Sequence, residues 1–511
     1  MSNDTRELEH ELAGLSTSAK LPRGSPPATL VTWNGSEDPD DPYNWTTRKK
    51  WLTIGLGMLA SFVCSVNGTI LAVAHEPISQ EFGIPNERFP EFYYTTTAWG
   101  IGAALFPLFL FPLMEDLGVR PLLLGTYLCF TCSLIPVGFA QNFATVVVVR
   151  FFSGGCVPLM SDAVATIASN VFHGDRARSV PICLYVLIYL GATSLGPVIG
   201  ALILRSLNWR WIGHVELMFT AAFFPFLAFG LPETRGLVIL RAKAEALRRQ
   251  GRTIHTAEDS KNTNFARSLV EGLQRPVSML LRESVVSVAA VWAAFSLGSI
   301  YLFTQSVEKV YEQLYGWDAI SAGYVQSAIV VGEAIGAVLS LFANSWYYKS
   351  ATRNTEVPGT PVPEARLYPA IIGGFFGVSG GMLLYGWAAY SRIHWIVITT
   401  GLTMVGFGST AVVISIANYL IDAYSKYAAS ALAAVGLVEN VSIALLPLAA
   451  PAMYTRLGFH WASTLLAFVS LVLASMPLVV IVWGKSIRAH SPFMKEAVID
   501  RRRHIQLSSV V

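Results

Sequence analysis

A few ionisable side chains lie deep inside long apolar stretches of this 511-residue chain: Arg150, Asp162, Glu333 and Glu439, the last followed by Asn440. Each such residue costs roughly 2.5–3.5 kcal/mol to insert into a bilayer and therefore needs a physical reason. A carboxylate facing a water-accessible cavity inside the membrane can exchange a proton within the physiological pH range. These residues are thus candidates for a substrate and proton pathway. The alternative is that they form structural ion pairs or polar contacts between helices.

Aromatic and amide side chains in the same apolar stretches are further candidates for lining such a cavity. Tyr301 and Gln305 are four residues apart and so share one face of a helix. Each residue of this kind is, taken alone, more often a packing or interface residue than a ligand contact. The remaining candidates are Asn67, Trp99, Tyr324 and Asn418.

Two other charged pairs fall at the edges of apolar stretches, His75 with Glu76 and His214 with Glu216. The headgroup region of a bilayer can solvate charges at that depth. We therefore set both pairs apart from the candidate pathway.

Glycine and proline mark the stretch LGATSLGPVIGALI, which contains Gly191, Gly196, Pro197 and Gly200. Gly196 and Gly200 form a small-xxx-small face that permits another helix to approach closely. Pro197 removes a backbone donor and is expected to bend the helix. A Gly-Pro pair inside such a face is a more specific signal than either feature alone.

The elements that position these residues are predicted to be membrane-spanning helices. Hydrophobic residues make up 53% of the chain and charged residues only 14%, against about 25% charged in soluble domains. A helix needs about 20 apolar residues to cross a hydrocarbon layer of ~30 Å. With that length the sequence predicts an all-α integral membrane protein whose twelve spans lie near 52–74, 92–113, 121–140, 144–165, 180–204, 213–231, 284–306, 322–345, 367–389, 394–418, 427–450 and 461–483.

Lysine and arginine predict the orientation of these spans, because both are enriched on the cytoplasmic side of a membrane. The spans place 29 of the 36 basic residues on one face and 6 on the other, with Arg150 inside a span. The first face carries the N-terminal tail, the segment between spans six and seven, and the C-terminal tail. Both termini and the central linker are therefore expected to be cytoplasmic.

The predicted organisation has five parts. A disordered cytoplasmic tail (1–50) precedes a six-helix bundle (51–231), a charged cytoplasmic linker (232–283), a second six-helix bundle (284–484) and a C-terminal cytoplasmic tail (485–511). The polar N-terminus indicates that no cleavable signal peptide is present. The five cysteines fall in apolar runs and are expected to be small core residues rather than disulfide partners.

Other functional classes have little support. A net charge of +3 gives no reason to expect a nucleic-acid partner. The histidines are scattered, so neither a metal site nor another cofactor is predicted, and an enzyme with clustered catalytic groups is not expected. No GxxxxGK[ST] loop is present to bind ATP.

Several segments resemble, in order, the twelve-span drug:H+ antiporters of the major facilitator superfamily, particularly their fungal branch. DPYNWTTRKKW (41–51) resembles the motif before the first span, and RFFSGG (150–155) resembles the fourth-span signature with Arg150 and Gly154. LGPVIGALI (195–203) resembles the fifth-span antiporter motif. Further matching landmarks are NWRW (208–211), LPETRG (231–236), YLIDAYSKYAASALAA (419–434) and PAMYTRLGFHWASTLLAF (451–468).

This resemblance implies two six-helix bundles that rock around a central site by alternating access. It further implies proton-driven export of drugs, toxins or secondary metabolites across the plasma membrane by a protein that acts as a monomer in the lipid bilayer. Deep polar groups between two halves agree with that mechanism.

The sequence departs from the family pattern in two places. In the family that this chain resembles, the loop after the second span usually has a pattern like GxLADRxGRR. The corresponding loop here is PLMEDLGVRP, which keeps only Glu115 or Asp116, Gly118 and Arg120 of that pattern. After SALAA the family often has a basic residue, and this chain has Glu439. That exchange favours cationic or proton-coupled chemistry there.

Two rival functions use the same fold. LPETRG also resembles a landmark of sugar porters, so uptake of a sugar or another nutrient with protons is one alternative. An organic-acid exporter with Arg150 as the partner of the anion is the other.

Overall fold

The computed structural model describes residues 29–33, 35, 37–84, 89–250, 254–255, 265–354, 359–424 and 427–495. Twelve of its helical segments are long and apolar enough to cross a membrane, and each matches one predicted span to within several residues. Spans 1 to 6 are Thr47–Glu81, Tyr93–Leu117, Val119–Gly138, Phe143–Val171, Arg176–Leu204 and Arg210–Gly230. Spans 7 to 12 are Ser284–Thr304, Ala319–Arg353, Pro363–Trp387, Trp395–Tyr424, Ala428–Ala450 and Ala452–His490.

Most spans are single α-helices, some of which extend beyond the apolar segment. The helices of spans 2, 5 and 7 are Phe89–Leu117, Asp175–Leu204 and Ser284–Tyr315. Spans 11 and 12 form the helical segment Ala428–His490, which turns at Gly458, where φ is 73°. Only a residue that tolerates positive φ makes that turn without strain, which explains the glycine.

Three spans are built from several pieces. Span 1 consists of the α-helix Thr47–Val66, the 3-10 turn Ile70–Ala74 and the α-helix His75–Glu81. Span 8 consists of Ala319–Val325, Ser327–Lys349 and the 3-10 turn Ser350–Arg353. Span 9 consists of Pro363–Leu367, Tyr368–Ile372, the π-helix Gly373–Ser379 and Gly380–Trp387.

The two halves of the chain meet through two pairs of spans. Span 2 packs against span 11, and span 5 packs against span 8. Span 8 lies six positions after span 2 and span 11 lies six positions after span 5, so exchanging the halves converts one pair into the other, as expected for two six-helix bundles related by a pseudo-twofold axis. Because the number of spans in each half is even, both tails and the linker lie at one end of the bundle, which we name the linker side.

Close contacts join the halves toward the opposite side. Gly100 lies so near span 11 that a Cβ atom built on it would be 2.7 Å from the backbone nitrogen of Ala444. Thr97 donates a hydrogen bond to the carbonyl of Ala444 at 2.9 Å. His75 Nδ1 lies 3.3 Å from Glu308 Oε2, which links span 1 to the helix of span 7.

The described part of the linker contains two helices, α1 (Gly236–Arg249) and α2 (Phe265–Arg282). Helix α2 packs against spans 2 and 11 at the linker side, where a Cβ atom on Gly272 would be 2.4 Å from Pro112. Within the described residues, a parallel pair of two-residue strands joins β1 (Thr29–Leu30) to β2 (Ile254–His255).

The structure departs from the prediction of a disordered tail over 1–50 in the part of that tail that it describes. Residues 1–28 lie outside the described residues, but β1 pairs with the linker, and buried Asp38 accepts a hydrogen bond from Lys243 at 3.2 Å. The end of the tail is therefore ordered against α1. Sequence composition missed this because its partner lies about 200 residues away in the chain.

The structure also corrects the expectation for two cysteines. Cys64, Cys156 and Cys183 are buried, whereas Cys129 and Cys132 on span 3 are exposed, and all five are free thiols. An apolar segment in a membrane protein can face lipid as well as a core, so hydropathy does not distinguish the two.

Gly154 tests the packing of span 4 on span 2. A Cβ atom at this position would be 2.2 Å from the carbonyl oxygen of Trp99, which is backbone and cannot rotate away. We expect Gly154→Ala to lower the free energy of unfolding by about 1–3 kcal/mol, the usual cost of overpacking. Gly125→Ala on span 3 is the matched control, because no atom of a neighbouring helix lies within 4 Å of its Cβ position. Equal thermal unfolding midpoints of the two purified variants in detergent would contradict this packing.

Candidate functional site

Span 1 is interrupted between Val66 and Ile70, and Arg150 of span 4 binds the interruption. The guanidinium donates to the backbone carbonyl of Asn67 and, at 2.6 Å, to that of Gly68. A broken helix leaves carbonyl groups without intrahelical partners, and the bilayer interior offers no water to replace them. Arg150, only 2% exposed, supplies those missing donors.

The side chain of Asn67 connects three other polar groups. Its Oδ1 atom accepts hydrogen bonds from Arg150 at 3.0 Å and from the indole nitrogen of Trp99 at 3.1 Å. Its Nδ2 atom donates to both carboxylate oxygens of Glu216 at 3.1 and 3.2 Å. The amide therefore lies between a cation on span 4 and an anion on span 6. We name Asn67, Trp99, Arg150 and Glu216 the span-1 network.

The other half of the protein contacts this network through Tyr301 of span 7. The Tyr301 ring lies 5.8 Å from the Trp99 ring, centroid to centroid. A Cβ atom on Gly68 would be only 2.8 Å from the Tyr301 hydroxyl oxygen, so a larger residue there would displace the Tyr301 side chain. Gln305 lies on the same helix, but its side chain is outside the described residues.

The glycines of span 5 lie against the same interruption. A Cβ atom on Gly196 would be 2.1 Å from Thr69 Oγ1, and one on Gly200 would be 2.5 Å from the carbonyl oxygen of Ile70. The hydroxyl of Thr69 in turn donates to the carbonyl of Thr193 at 2.5 Å. The helix continues through Pro197, so the small residues serve close packing rather than a break in span 5.

Glu333 of span 8 lies at the interface between the halves. It is fully buried, and Ser194 of span 5 donates to its Oε1 atom at 2.7 Å. Gly191 is also adjacent, since a Cβ atom there would be 3.8 Å from Oε2. Among the described residues, Oε2 of Glu333 has no hydrogen-bond partner. A carboxylate of the second half thus rests on small residues of the first.

Asp162 and Asn440 line a cavity of about 40 Å³ between spans 2, 4 and 11 and helix α2. Tyr185 donates to Asp162 Oδ1 at 2.8 Å, and Asn440 donates to the carbonyl of Gly436 at 2.8 Å. Glu439 is half-buried and close enough to Asp162 for their charges to interact. The cavity has room for a few water molecules, and the other residues lining it are mostly apolar.

These three carboxylates share one electrostatic property. Within the described part of the chain, no lysine, arginine or histidine forms an ion pair with Asp162, Glu333 or Glu439. An uncompensated charge inside a membrane is costly, so a proton or a cationic ligand is the group that such an arrangement can hold.

Tyr324 and Asn418 are not joined to these groups by the described contacts. Tyr324 is half-buried on the first helix of span 8. Asn418 is half-buried on span 10. Their assignment to the pathway stays a prediction.

The loop after span 2 is tied to LPETRG. Gly118 has a φ of 100°, and Glu233 accepts hydrogen bonds from the backbone nitrogens of Val119 and Arg120 at 3.2 and 3.0 Å. Arg120 itself donates to a carbonyl of span 6 at 3.1 Å. Glu233 therefore caps the N-terminus of span 3, where a negative charge is stabilising.

In the same loop, Asp116 contributes its backbone carbonyl, which accepts from Arg241 of α1 at 3.2 Å. Glu115 is exposed. The loop after span 2 (PLMEDLGVRP) and the segment LPETRG are far apart in the sequence. In the structure they contact each other at the linker side.

Sequence reasoning missed a second group of buried charges in the second half. Arg366 pairs with Asp422 at 2.8 Å and donates to Asn344 at 2.6 Å. Glu364, two residues before Arg366 on span 9, pairs with Arg488 of span 12. Asp422 was visible as a charge inside YLIDAY, but its partner lies near a loop, so only the fold brings the two together.

Glu216 was also missed, because it was taken as a residue of the headgroup region. Span 6 begins at Arg210, three residues earlier than predicted, and Glu216 is 8% exposed. The only sequence signal for its burial was a carboxylate in an otherwise apolar segment.

Twelve spans in two packed halves, with a buried carboxylate between them, define a membrane transporter of the secondary-carrier class. A sequence model described as Major Facilitator Superfamily matches residues 57–438. The chain belongs to this superfamily, is a multi-pass membrane protein and is a transporter rather than an enzyme.

Fungal relatives align over nearly the whole chain. "MFS transporter cpaT" of Aspergillus oryzae is 32% identical over 475 residues, 92% of this chain and 93% of its own. "Citrinin biosynthesis cluster MFS transporter mrr1" of Monascus ruber is 30% identical, with 91% and 92% covered. "Major facilitator superfamily multidrug transporter FLU1" of Candida albicans is 30% identical, with 92% and 77% covered. The chain thus falls in the fungal efflux branch that its motifs resemble.

A solved structure agrees with the fold. The crystal structure of the human organic anion transporter MFSD10 (TETRAN) superposes with a TM-score of 0.59, covering 84% of this chain and 99% of its own. The two sequences are 17% identical, so this likeness concerns the architecture alone.

The Arg366–Asp422 pair generates a stability prediction. Asp422→Asn leaves the buried guanidinium of Arg366 without its anion, and we expect a loss of about 3–5 kcal/mol in the free energy of unfolding. Glu81→Gln is the control, because Glu81 pairs with Arg210 in a partly exposed position and such pairs contribute about 0–1 kcal/mol. Thermal unfolding in detergent measures both. A control that loses as much as Asp422→Asn would contradict the structural role of this pair.

Proposed function

We propose that this protein is a proton-coupled antiporter that exports small organic molecules by alternating access. The observation that carries the proposal is the position of Glu333, a fully buried carboxylate of span 8 that rests on Ser194 of span 5. Spans 5 and 8 belong to different halves, so a rocking motion of the bundles 51–231 and 284–484 must change the surroundings of this carboxylate.

Glu439 and Asp162 support the same proposal on the other side of the interface. They lie on spans 11 and 4, beside the cavity that Asn440 also lines. Two neighbouring carboxylates without a basic partner favour binding of at least one proton. A proton and a substrate that compete for this region would exchange across the membrane.

The fungal relatives support export of a drug or a secondary metabolite as the substrate class. Their names describe a multidrug transporter and a transporter of the citrinin biosynthesis cluster. Organic-acid export through Arg150 is less favoured, because the span-1 interruption already engages that guanidinium. Uptake with protons is the remaining alternative, and the direction of coupling decides it.

The proposed arrangement in the cell follows the distribution of basic residues. With 29 of the 36 basic residues on the linker side, the positive-inside rule favours cytoplasmic termini. We propose that the protein acts as a monomer in the plasma membrane.

The orientation of the termini is tested with a pH-sensitive fluorescent protein fused to either terminus. Its fluorescence should be quenched by cytoplasmic, not extracellular, acidification.

The transport assay uses inside-out vesicles with an acidic lumen, screened with lipophilic cations, neutral drugs and small organic acids. We expect substrate uptake that a protonophore abolishes and that Glu333→Gln lowers at least about tenfold, equivalent to about 1.4 kcal/mol. Glu245→Gln on exposed α1 is the control for loss of one charge. Movement only down the substrate's own gradient, or together with protons, would overturn antiport.

Glu439 is tested by the pH dependence of the same transport. Glu439→Gln removes the ionisable group beside Asp162 while keeping its size. We expect transport by this variant to lose its response to lumenal pH, measured as initial rates between pH 5 and 8 at a fixed substrate gradient. An unchanged pH profile would exclude Glu439 from proton coupling.

A further inference from the structure

Glu216 occupies a position that the proposed pathway does not use. It lies on span 6, six residues after the start of that span at Arg210, which is ~9 Å along the helix axis. That end of span 6 is opposite the linker side. The residue is nevertheless buried, and both of its carboxylate oxygens accept hydrogen bonds from Asn67.

The titratable and charged groups around Glu216 lie on spans 1, 3, 4 and 6. On span 3, the hydroxyl of Tyr127 donates to the carbonyl of Thr220, about one turn beyond Glu216 on span 6, at 3.2 Å. Span 1 presents the Asn67 amide and, farther off, the thiol of Cys64. Span 4 presents Arg150, whose charge acts on Glu216. On span 6 itself, His214 is turned away, because its ring lies 5.4 Å from that of Phe139 on the span 3 side. Arg150 is thus the cation to which Glu216 responds.

The Asn67 amide transmits that response by its geometry. Its oxygen faces the guanidinium of Arg150 and its nitrogen faces the carboxylate of Glu216, so each charge polarises the amide in the same sense. A proton added to Glu216 removes one of these charges. Arg150 is then left as a buried cation with neutral acceptors alone: the backbone carbonyls of Asn67 and Gly68 and the side-chain oxygen of Asn67.

The consequence falls on the one part of span 1 that is not helical. Asn67 and Gly68 form the interruption itself, and Tyr301 of the other half packs against Gly68. A change in how Arg150 binds those carbonyls therefore changes the contact between the two halves.

We propose that Glu216 is a proton-binding residue of the transport cycle that controls the span-1 interruption through Asn67 and Arg150. This inference rests on the proposed proton-coupled function. It adds a second protonation site in the first half, distinct from Asp162 of the same half and from Glu333 and Glu439 of the other. Glu216 acts as a positioning residue, since it reaches the contact between the halves only through its neighbours.

The experiment measures protonation directly on purified, substrate-free protein in lipid. Infrared difference spectra between neutral and acidic pH report the carbonyl stretch of each carboxylic acid that gains a proton. We expect one such band to disappear in Glu216→Gln and to remain in Glu333→Gln and in Glu439→Gln. A wild-type difference spectrum that Glu216→Gln leaves unchanged would overturn the proposal.

Two further variants keep the test decisive if Glu216→Gln does not fold. Glu216→Asp retains an ionisable group on a shorter side chain, and its band should persist at an altered frequency. Arg150→Gln removes the cation, so the pH at which the Glu216 band appears should move. A band whose frequency is unchanged in Glu216→Asp and whose pH of appearance is unchanged in Arg150→Gln belongs to another carboxyl group and contradicts the proposal.

The transport assay then separates this inference from the proposed function. If Glu216 couples protonation to transport, Glu216→Gln should lower proton-driven uptake at least about tenfold, with partial rescue in Glu216→Asp. Normal uptake in Glu216→Gln would overturn the coupling role while antiport by the wild type stands. Conversely, wild-type vesicles without antiport would refute the proposed function even if the infrared band is assigned to Glu216.

Discussion

The interruption of span 1 is the feature on which the rest of the site depends. Between Val66 and Ile70 the helix gives up backbone hydrogen bonds inside a medium that cannot replace them. Arg150 supplies donors to the freed carbonyls. The side chain of Asn67 accepts hydrogen bonds from Arg150 and Trp99 and donates to Glu216. A buried cation is costly unless it is paired and hydrogen-bonded. The interruption and the network therefore stabilise each other, and neither fits the membrane without the other.

The same region explains why small residues are required on the neighbouring spans. Gly68 admits Tyr301, and Gly196 and Gly200 admit the backbone of the interruption. These contacts bring span 5 against span 1 and leave Ser194 facing Glu333 across the interface. Close packing in the first half thus sets the position of a carboxylate that belongs to the second. The polar interface and the glycine motif are two aspects of one arrangement.

Much of this architecture follows from sequence. The twelve spans were predictable because a bilayer imposes a minimum apolar length, and Arg150 stood out because a guanidinium inside such a span is rare. The partners of these residues were less accessible. Glu216 was misplaced by a small error in the start of span 6, and the order of β1 and of Asp38 depended on contacts with a distant linker. Cys129 and Cys132 were misassigned because lipid and protein core accept the same side chains.

By itself the sequence determined the fold class, the superfamily resemblance and the set of residues too polar for their surroundings. Those properties depend on local composition and on motifs, which are read along one segment at a time. The tertiary structure decided which polar residues meet: Glu216 with Asn67, Glu333 with Ser194, Arg366 with Asp422. It also placed Asp162 beside a cavity and Tyr301 against the interruption. The physical reason is that a charge in a membrane is tolerated according to its partners, and those partners come from spans far apart in the chain.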